Sequence, residues 1–378
     1  MRIAINALSV KIGGGVTYMR NLVPRIAKAD PDDEYFLIVA AENYQAVFSS
    51  LVLGPNLTII KISTRNRLLV RMFKEQFVLP FVMRRHRIDI LFCPANIISF
   101  FARCRQVLWI QNIDPFVYIE GETWLRRMKV AFLRMFTKMS ILLADIVIFS
   151  SAYSQQLVLN QMRLQKNKTR RISLGAELGP FNRLKDREKQ NDRSYILSVS
   201  NISKRKNYEV LIRAYAHLPS ELRNKYCLVL VGRVDDKYQA ELLGLCVDKK
   251  ARAGIEFTGE LRGDDLYRTY KNATLFVLPS LVESFGLPVF EAMASGLPVI
   301  AANATCLPEM VGDSGFIFDP YDYRDLAEKI QRLIVDPELQ KTLTEKGNNK
   351  ANWFSWDRTA SETVKVFKEL GPKIGYNL

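Results

Sequence analysis

A chain of 378 residues, 48% of them hydrophobic and 25% charged, is long enough for two cores and too apolar for a disordered chain. No run approaches the ~18 apolar residues of a membrane-spanning helix, because the best candidate, Ile141–Phe149, is short and carries Asp145. The formal net charge is +15 and lies almost wholly in the first half: residues 1–180 hold 25 Lys and Arg against 12 Asp and Glu, and residues 181–378 hold 29 against 27. That asymmetry points the first half toward a polyanionic partner: nucleic acid, anionic lipid or a phosphorylated acceptor.

The N-terminal MRIAINAL has a β-like pattern and no small-residue cleavage site, so no secretion signal is expected. Apolar runs then predict strands at Arg2–Ala7, Tyr35–Ala40, Thr58–Ile62, Asp89–Cys93, Gln106–Gln111 and Ile146–Ser150. Amphipathic stretches such as Val16–Ala29 separate most of them, the signature of βαβ units and a parallel sheet. Leu178–Ser194 is polar, charge-rich and broken by Gly179-Pro180, which reads as a linker. The alternation then restarts, with strands predicted at Tyr195–Val199, Cys227–Val231, Ile255–Thr258, Thr274–Leu278, Leu297–Ala301 and Gly315–Phe318. A helix is predicted over Tyr208–Leu218 with Asn207 as its cap, and helical patterns continue to about Leu370. The fold class is α/β, with two doubly wound domains in series and the cleft between them as the default ligand site. The five cysteines form no CxxC pair and are odd in number, which fits buried thiols in a reducing cytoplasm.

Two glycine-bearing turns stand at strand–helix junctions. Gly13, Gly14 and Gly15 follow the first strand, where backbone can approach an anion at a helix N-terminus. Tyr18 stands where a dinucleotide fingerprint needs a third small residue, so a nicotinamide cofactor is not indicated. The second turn lies in TLFVLPSLVESFGLPVFEAMASGLPVI, residues 274–300. Here Pro288 suits the first position of a helix, and Gly296 suits its end. Glu283 and Glu291, eight apart, straddle that junction, and the loop amides with the positive helix end suit a diphosphate.

The run from Glu283 to Val299 strongly resembles the E-x7-E motif of the family-4 retaining glycosyltransferases (glycosyl transferases group 1), which have the GT-B fold. The likeness covers the second half: Ser200–Asn207, Leu230-Val231-Gly232, Phe257-Thr258-Gly259, Asn303 with Leu307-Pro308-Glu309, and Phe354-Ser355-Trp356. It is looser in the first half, through the glycine loop, Glu75-Gln76 with Leu79-Pro80, and Asp89. The resemblance implies two Rossmann-like domains facing each other across a cleft. Residues 1–180 would bind the acceptor, 181–354 the nucleotide sugar, and a helix at about 355–370 would pack back on the first domain. It further implies that Glu283 contacts the transferred sugar and Glu291 the ribose. Lys206, with Arg205, would neutralise the diphosphate, cradled by amides of Ser284, Phe285, Gly286 and Leu287. Gly259 would lie near the base, and Gly14 and Gly15 near the diphosphate or acceptor.

Two positions depart from the family pattern. Where members often carry a His at the end of a first-domain strand, Gln111 or Asn112 takes the place here, neither of them a general base, and Asn112 is counted among the candidate catalytic residues. Asn201 stands where relatives carry an Arg before the Lys. No paired acidic motif for Mg²⁺ is evident, so the expected enzyme is a metal-independent hexosyltransferase without a resident cofactor, its donor a GDP- or UDP-linked sugar. The expected acceptor is a glycan or polyprenyl-diphosphate-linked saccharide of bacterial O-antigen, capsule or lipopolysaccharide assembly. An epimerase of the same fold, or a catalytically silent nucleotide- or lipid-binding scaffold, are the alternatives.

His86 and His217 read as surface or helix-end residues. Residues 61–87 hold eight Lys and Arg against one acid, Glu75, and residues 124–138 hold five and none, with apolar residues interleaved. That is the pattern of an interfacial helix on the anionic inner face of the plasma membrane, or of a sheet-covering helix with a solvated face. No nucleic-acid-binding motif accompanies the charge.

Overall fold

The computed structural model describes residues 1–11, 14–49, 51, 54–117, 124–176 and 194–372. Gly13 and nearly all of the expected linker Leu178–Ser194 lie outside them; Ser194 already opens a strand. The chain divides into unit 1, Met1–Gly175 with Trp356–Leu378, and unit 2, Ala176–Ser355.

Unit 1 begins β1 (Arg2–Ala7), α1 (Gly14–Ala29), β2 (Glu34–Ala40), α2 (Ala41–Val47), β3 (Leu57–Ile62) and α3 (Leu68–Phe73). A π-helical turn (Lys74–Val78) leads into α4 (Leu79–Arg85), β4 (Ile90–Cys93) and β5 (Arg105–Ile110). A 3-10 turn (Asp114–Phe116), α5 (Trp124–Leu143), β6 (Ile146–Phe149), α6 (Ala152–Leu159) and β7 (Thr169–Arg171) follow. Unit 2 runs β8 (Ser194–Val199), a 3-10 turn (Lys204–Lys206), α7 (Tyr208–His217), α8 (Ser220–Lys225), β9 (Tyr226–Val231), α9 (Asp236–Gly244) and α10 (Lys249–Ala253). It continues with β10 (Ile255–Gly259), α11 (Gly263–Asn272), β11 (Leu275–Leu278), α12 (Leu287–Ala294), β12 (Val299–Ala302), α13 (Leu307–Val311), β13 (Gly315–Phe318), α14 (Tyr323–Val335) and α15 (Pro337–Trp353). The last helix, α16 (Trp356–Leu370), belongs to unit 1.

Both sheets are parallel throughout, in the orders β3-β2-β1-β4-β5-β6-β7 and β10-β9-β8-β11-β12-β13. Strands covered by helices on both faces must be apolar on both, and β4, β6, β11 and β12 are buried along their whole length. Each order reverses once, between β1 and β4 and between β8 and β11. In an open α/β sheet the loops at the carboxyl ends of the strands on either side of such a reversal diverge and leave a crevice.

Three local expectations are corrected. Strand β12 starts at Val299 rather than Leu297, because Pro298 has no N–H to donate to a ladder. Leu287, not Pro288, opens α12. Asn207 precedes α7 as expected but does not cap it. Its backbone is left-handed (φ 53°), and its side-chain amide donates instead to the Pro320 carbonyl at 2.8 Å. The edge strand β7 is additional: the polar sequence Thr-Arg-Arg carries no apolar signal, and it pairs with β6 through backbone alone.

Helix α16 is held by several unlike contacts within unit 1. Trp356 and Phe367 pack edge-on against Tyr18 and Phe92, at 5.8 Å and 5.4 Å between ring centroids. Lys368 Nζ lies 2.9 Å and 2.8 Å from the buried carboxylates of Asp30 and Asp33. Unit 2 is closed where the chain enters and leaves it: the Ala176 N–H donates to the Phe354 carbonyl at 2.7 Å.

Candidate functional site

Strands β8 and β11 are hydrogen-bonded neighbours in unit 2, so the loops leaving their carboxyl ends start side by side. The first loop carries Ser200 to Asn207 and the second Pro279 to Gly286. They are tied at the backbone, the Leu281 N–H donating to the Arg205 carbonyl at 3.0 Å. This contact brings Lys206 and Glu283 together across 77 residues: Lys206 Nζ donates to Glu283 Oε1, with each side chain only 13% exposed.

The backbone of Glu283 is fixed from a third direction. Its N–H donates to Thr305 Oγ1 at 3.0 Å, and the Cys306 thiol donates to its carbonyl at 3.2 Å. Burial, and then the negative charge of Glu283, push the Cys306 thiol well up, so it stays a neutral donor. Thr305 and Cys306 were not singled out in the sequence; the left-handed backbone of Thr305 (φ 49°) is a property of the fold that no local motif announces.

The loop ends at Gly286, whose positive φ (82°) lets the chain turn into α12. An added Cβ there would meet Leu307 Cδ2 at 2.9 Å. Helix α12 has no side-chain cap and no acid in its first turn, so its positive end is not neutralised locally. Phe285 turns its ring into the core against Phe290 and Phe354, which leaves its backbone as the part available to a ligand. Ser284 and Leu287, on either side, are half-buried. Glu291 lies past the first turn and accepts from the Tyr270 hydroxyl at 2.8 Å. Burial, and then Glu291, push the Tyr270 hydroxyl well up, so it is a donor at all ordinary pH. Tyr270 was likewise missed, because it stands on α11, twenty-one residues away.

Gly259 closes β10 with φ 74°, and its carbonyl accepts from the Gly232 N–H at 2.8 Å. Gly232 itself permits a close approach: a Cβ there would stand 1.8 Å from the Ser200 carbonyl oxygen. Glu260 is gripped by Arg262 and Arg233, which hold its carboxyl below the ordinary range. Unit 2 thus gathers Lys206, Arg205, Glu283 and the 284–287 backbone around one switch point, with Glu291 one helical turn further and Gly259 at the end of a strand two places away from β8.

In unit 1, Gly14 and Gly15 open α1, and a Cβ on either would meet nothing within 4 Å. Packing therefore does not require these glycines. Asn112 follows β5 with its backbone held by Asn96, and its Oδ1 accepts from the Asp114 N–H at 2.9 Å, closing the 3-10 turn. The neighbouring Gln111 is half-buried and sets its side-chain amide against the buried Tyr18 hydroxyl.

Residues 182–350 match the family described as "Glycosyl transferases group 1". The serotype-specific mannosyltransferase WbdA of Escherichia coli is 36% identical over 188 residues, which is 50% of this chain and 23% of that protein. The O-antigen chain mannosyltransferase B of Escherichia coli is 36% identical over 177 residues, 47% of this chain and 46% of that protein. The chain thus spans less than half the length of these relatives. Among solved structures, sucrose-phosphate synthase from Thermosynechococcus elongatus has a TM-score of 0.77 at 21% identity, covering 98% of this chain and 99% of that one. Anabaena HepE, solved in complex with UDP and glucose, has a TM-score of 0.74 at 21% identity, covering 98% and 100%.

The two parallel α/β units, matched along nearly the whole chain, define a GT-B protein. The match to the group 1 glycosyl transferases lies within its second unit.

Proposed function

We propose that the protein is a retaining glycosyltransferase that moves a hexose from a GDP- or UDP-linked donor to a saccharide or lipid-linked saccharide of bacterial surface-polysaccharide assembly. The observation that carries this reading is the Lys206–Glu283 pair at the β8/β11 switch point, with Glu291 eight residues on. The mannosyltransferase relatives at 36% identity favour mannose as the sugar and a growing O-antigen chain as the acceptor.

The reaction must stabilise a nucleoside diphosphate as it leaves and an oxocarbenium-like sugar as it forms. Lys206, Arg205 and the amides before α12 supply positive charge to the first. Glu283, whose carboxylate is already held and partly neutralised by Lys206, accepts from hydroxyls of the sugar. Glu291, oriented by Tyr270, accepts from the ribose. The bond between the anomeric carbon and the phosphate oxygen breaks as the acceptor oxygen bonds to the same face. The acceptor proton passes to the departing phosphate oxygen, so no protein base is required, consistent with an amide at position 111 or 112. Losing one such preorganised donor costs about 3–4 kcal/mol of barrier. Neither a metal nor a resident cofactor enters this scheme.

Of the two amides, Asn112 spends its Oδ1 on the Asp114 N–H and Gln111 faces the Tyr18 hydroxyl, so each has an amide donor to offer a hydroxyl of the reacting sugar. The test is a panel of GDP-, UDP- and TDP-sugars screened by thermal shift and then by nucleotide release, with product anomers assigned by NMR. Retention with release of the nucleoside diphosphate supports the reading. Wild-type turnover in Glu283→Ala and Lys206→Ala overturns it, as does an epimerised donor, or binding without turnover across the panel and a range of oligosaccharide acceptors.

A further inference from the structure

The two basic stretches of unit 1 form a surface that the proposed chemistry leaves unexplained. Helix α5 carries five Lys and Arg and no acid in its 20 residues, and most of its large apolar side chains are exposed, Ile141 being buried. Exposed apolar positions recur at 124, 128, 132, 135, 139 and 142, one stripe along the helix. Trp124 is 69% exposed and Leu125 72%. A second stripe lies on α3, the π turn and α4, where Leu69 is 79% and Phe81 66% exposed.

Aromatic contacts join the two stripes. Phe73 meets Phe77 at 4.9 Å, and Phe77 stacks on Phe101 at 5.3 Å. Phe100, next in the chain, meets Phe136 of α5 at 6.0 Å. An exposed apolar area of this extent marks an interaction surface. The one acid between residues 61 and 87 is largely turned away from it: the Glu75 side chain is only 12% exposed, and desolvation pushes its carboxyl above the ordinary range. The outer face of both segments therefore presents cations around hydrocarbon, with Arg67, Arg84, Arg85 and Lys129 exposed.

We propose that this face, α3 to α4 together with α5, docks the protein on the surface of an anionic lipid bilayer. Charge complementarity selects that occupant. In a second copy pairing through the same face, α5 would meet α5, cation against cation, with no acid on either helix to offset them. An anionic headgroup layer meets the Lys and Arg, while the aromatic and aliphatic tips enter the headgroup–acyl boundary. Among the described residues no helix is long and apolar enough to cross a membrane, so the association is peripheral to the bilayer. The inference is independent of the glycosyl-transfer reading and stands or falls on binding alone.

The test is flotation of the full chain with phosphatidylcholine vesicles, with and without phosphatidylglycerol. Binding only to the anionic vesicles, weakening as salt rises, supports the proposal. The variant R84E/R85E/K129E, its fold verified by circular dichroism, should lose roughly tenfold or more in affinity. Of four tryptophans, Trp109 and Trp356 are buried, so Trp353→Phe leaves Trp124 as the exposed reporter. Its emission should shift blue on anionic vesicles and be quenched by lipid brominated near the headgroup. The proposal is overturned if wild-type protein ignores anionic vesicles, if the charge-reversed variant floats equally well, if Trp124 emission is unmoved, or if sedimentation shows a dimer that Leu125→Glu dissolves.

Discussion

The Lys206–Glu283 pair makes the sharpest prediction, because stability and activity should respond to it differently. Lys206→Met leaves a carboxylate that is 13% exposed and has lost its countercharge. Removing one partner of a fully buried pair costs about 3–5 kcal/mol; the residual exposure here places the cost nearer ~2–4 kcal/mol. Glu283→Gln is milder, at roughly 1–2 kcal/mol, since an amide oxygen still accepts from the ammonium. Lys206→Met with Glu283→Gln strands no charge and should be more stable than the sum of the single changes, with a coupling of about 1–3 kcal/mol. Because the two units need not unfold together, the readout is urea-dependent hydrogen exchange of peptides from β8 and β11, not a global transition. Turnover should tell the opposite story: the double variant should be at least as inactive as either single one, about 10²–10³-fold down. Strictly additive stability losses would show that the pair is not formed, and a double variant with wild-type turnover would remove both residues from the chemistry.

The remaining predictions concern neighbours of that pair and unit 1. Tyr270→Phe should weaken UDP and GDP binding by roughly 1 kcal/mol through the carboxylate it orients, a loss that isothermal titration would detect and that Glu291→Gln should make redundant. Gly14→Ala should leave the melting temperature unchanged or raise it, by up to about 1 kcal/mol of stability, since its Cβ meets nothing; a fall in donor or acceptor affinity would then identify this turn as a ligand contact. The larger fall in nucleotide-release rate between Gln111→Leu and Asn112→Ala should identify the amide that meets the sugar; wild-type rates in both would remove both from the site. Burial holds the Glu75 carboxyl above its ordinary value near 4.5. The unfolded chain therefore releases this proton first as pH rises, and stability falls between about pH 4.5 and the raised value. Glu75→Gln should accordingly gain stability at pH 7 relative to pH 4 in urea titrations; an equal shift at both would mean the carboxyl is not buried.

How much of this was legible beforehand follows from what kind of information local sequence holds. Parallel strands buried on both faces are short apolar runs, so twelve of the thirteen were visible. The thirteenth, Thr169–Arg171, needed only β6 beside it. The junction at Gly286 was readable because a left-handed turn, a proline and two carboxylates are all local. What alternation of strand and helix cannot supply is the order of strands. Nothing near Lys206 says that β11 flanks β8 on the side away from β9, yet that adjacency turns a lysine and a glutamate 77 residues apart into one charged unit. The supports are hidden for the same reason: Thr305 and Cys306 come after β12 and Tyr270 before β11, each brought in by topology. The same limit applies in unit 1, where composition revealed a basic, aromatic-rich stretch but not that its single acid faces inward. Patterns fix what each segment is made for; the sheet order decides which segments share a site.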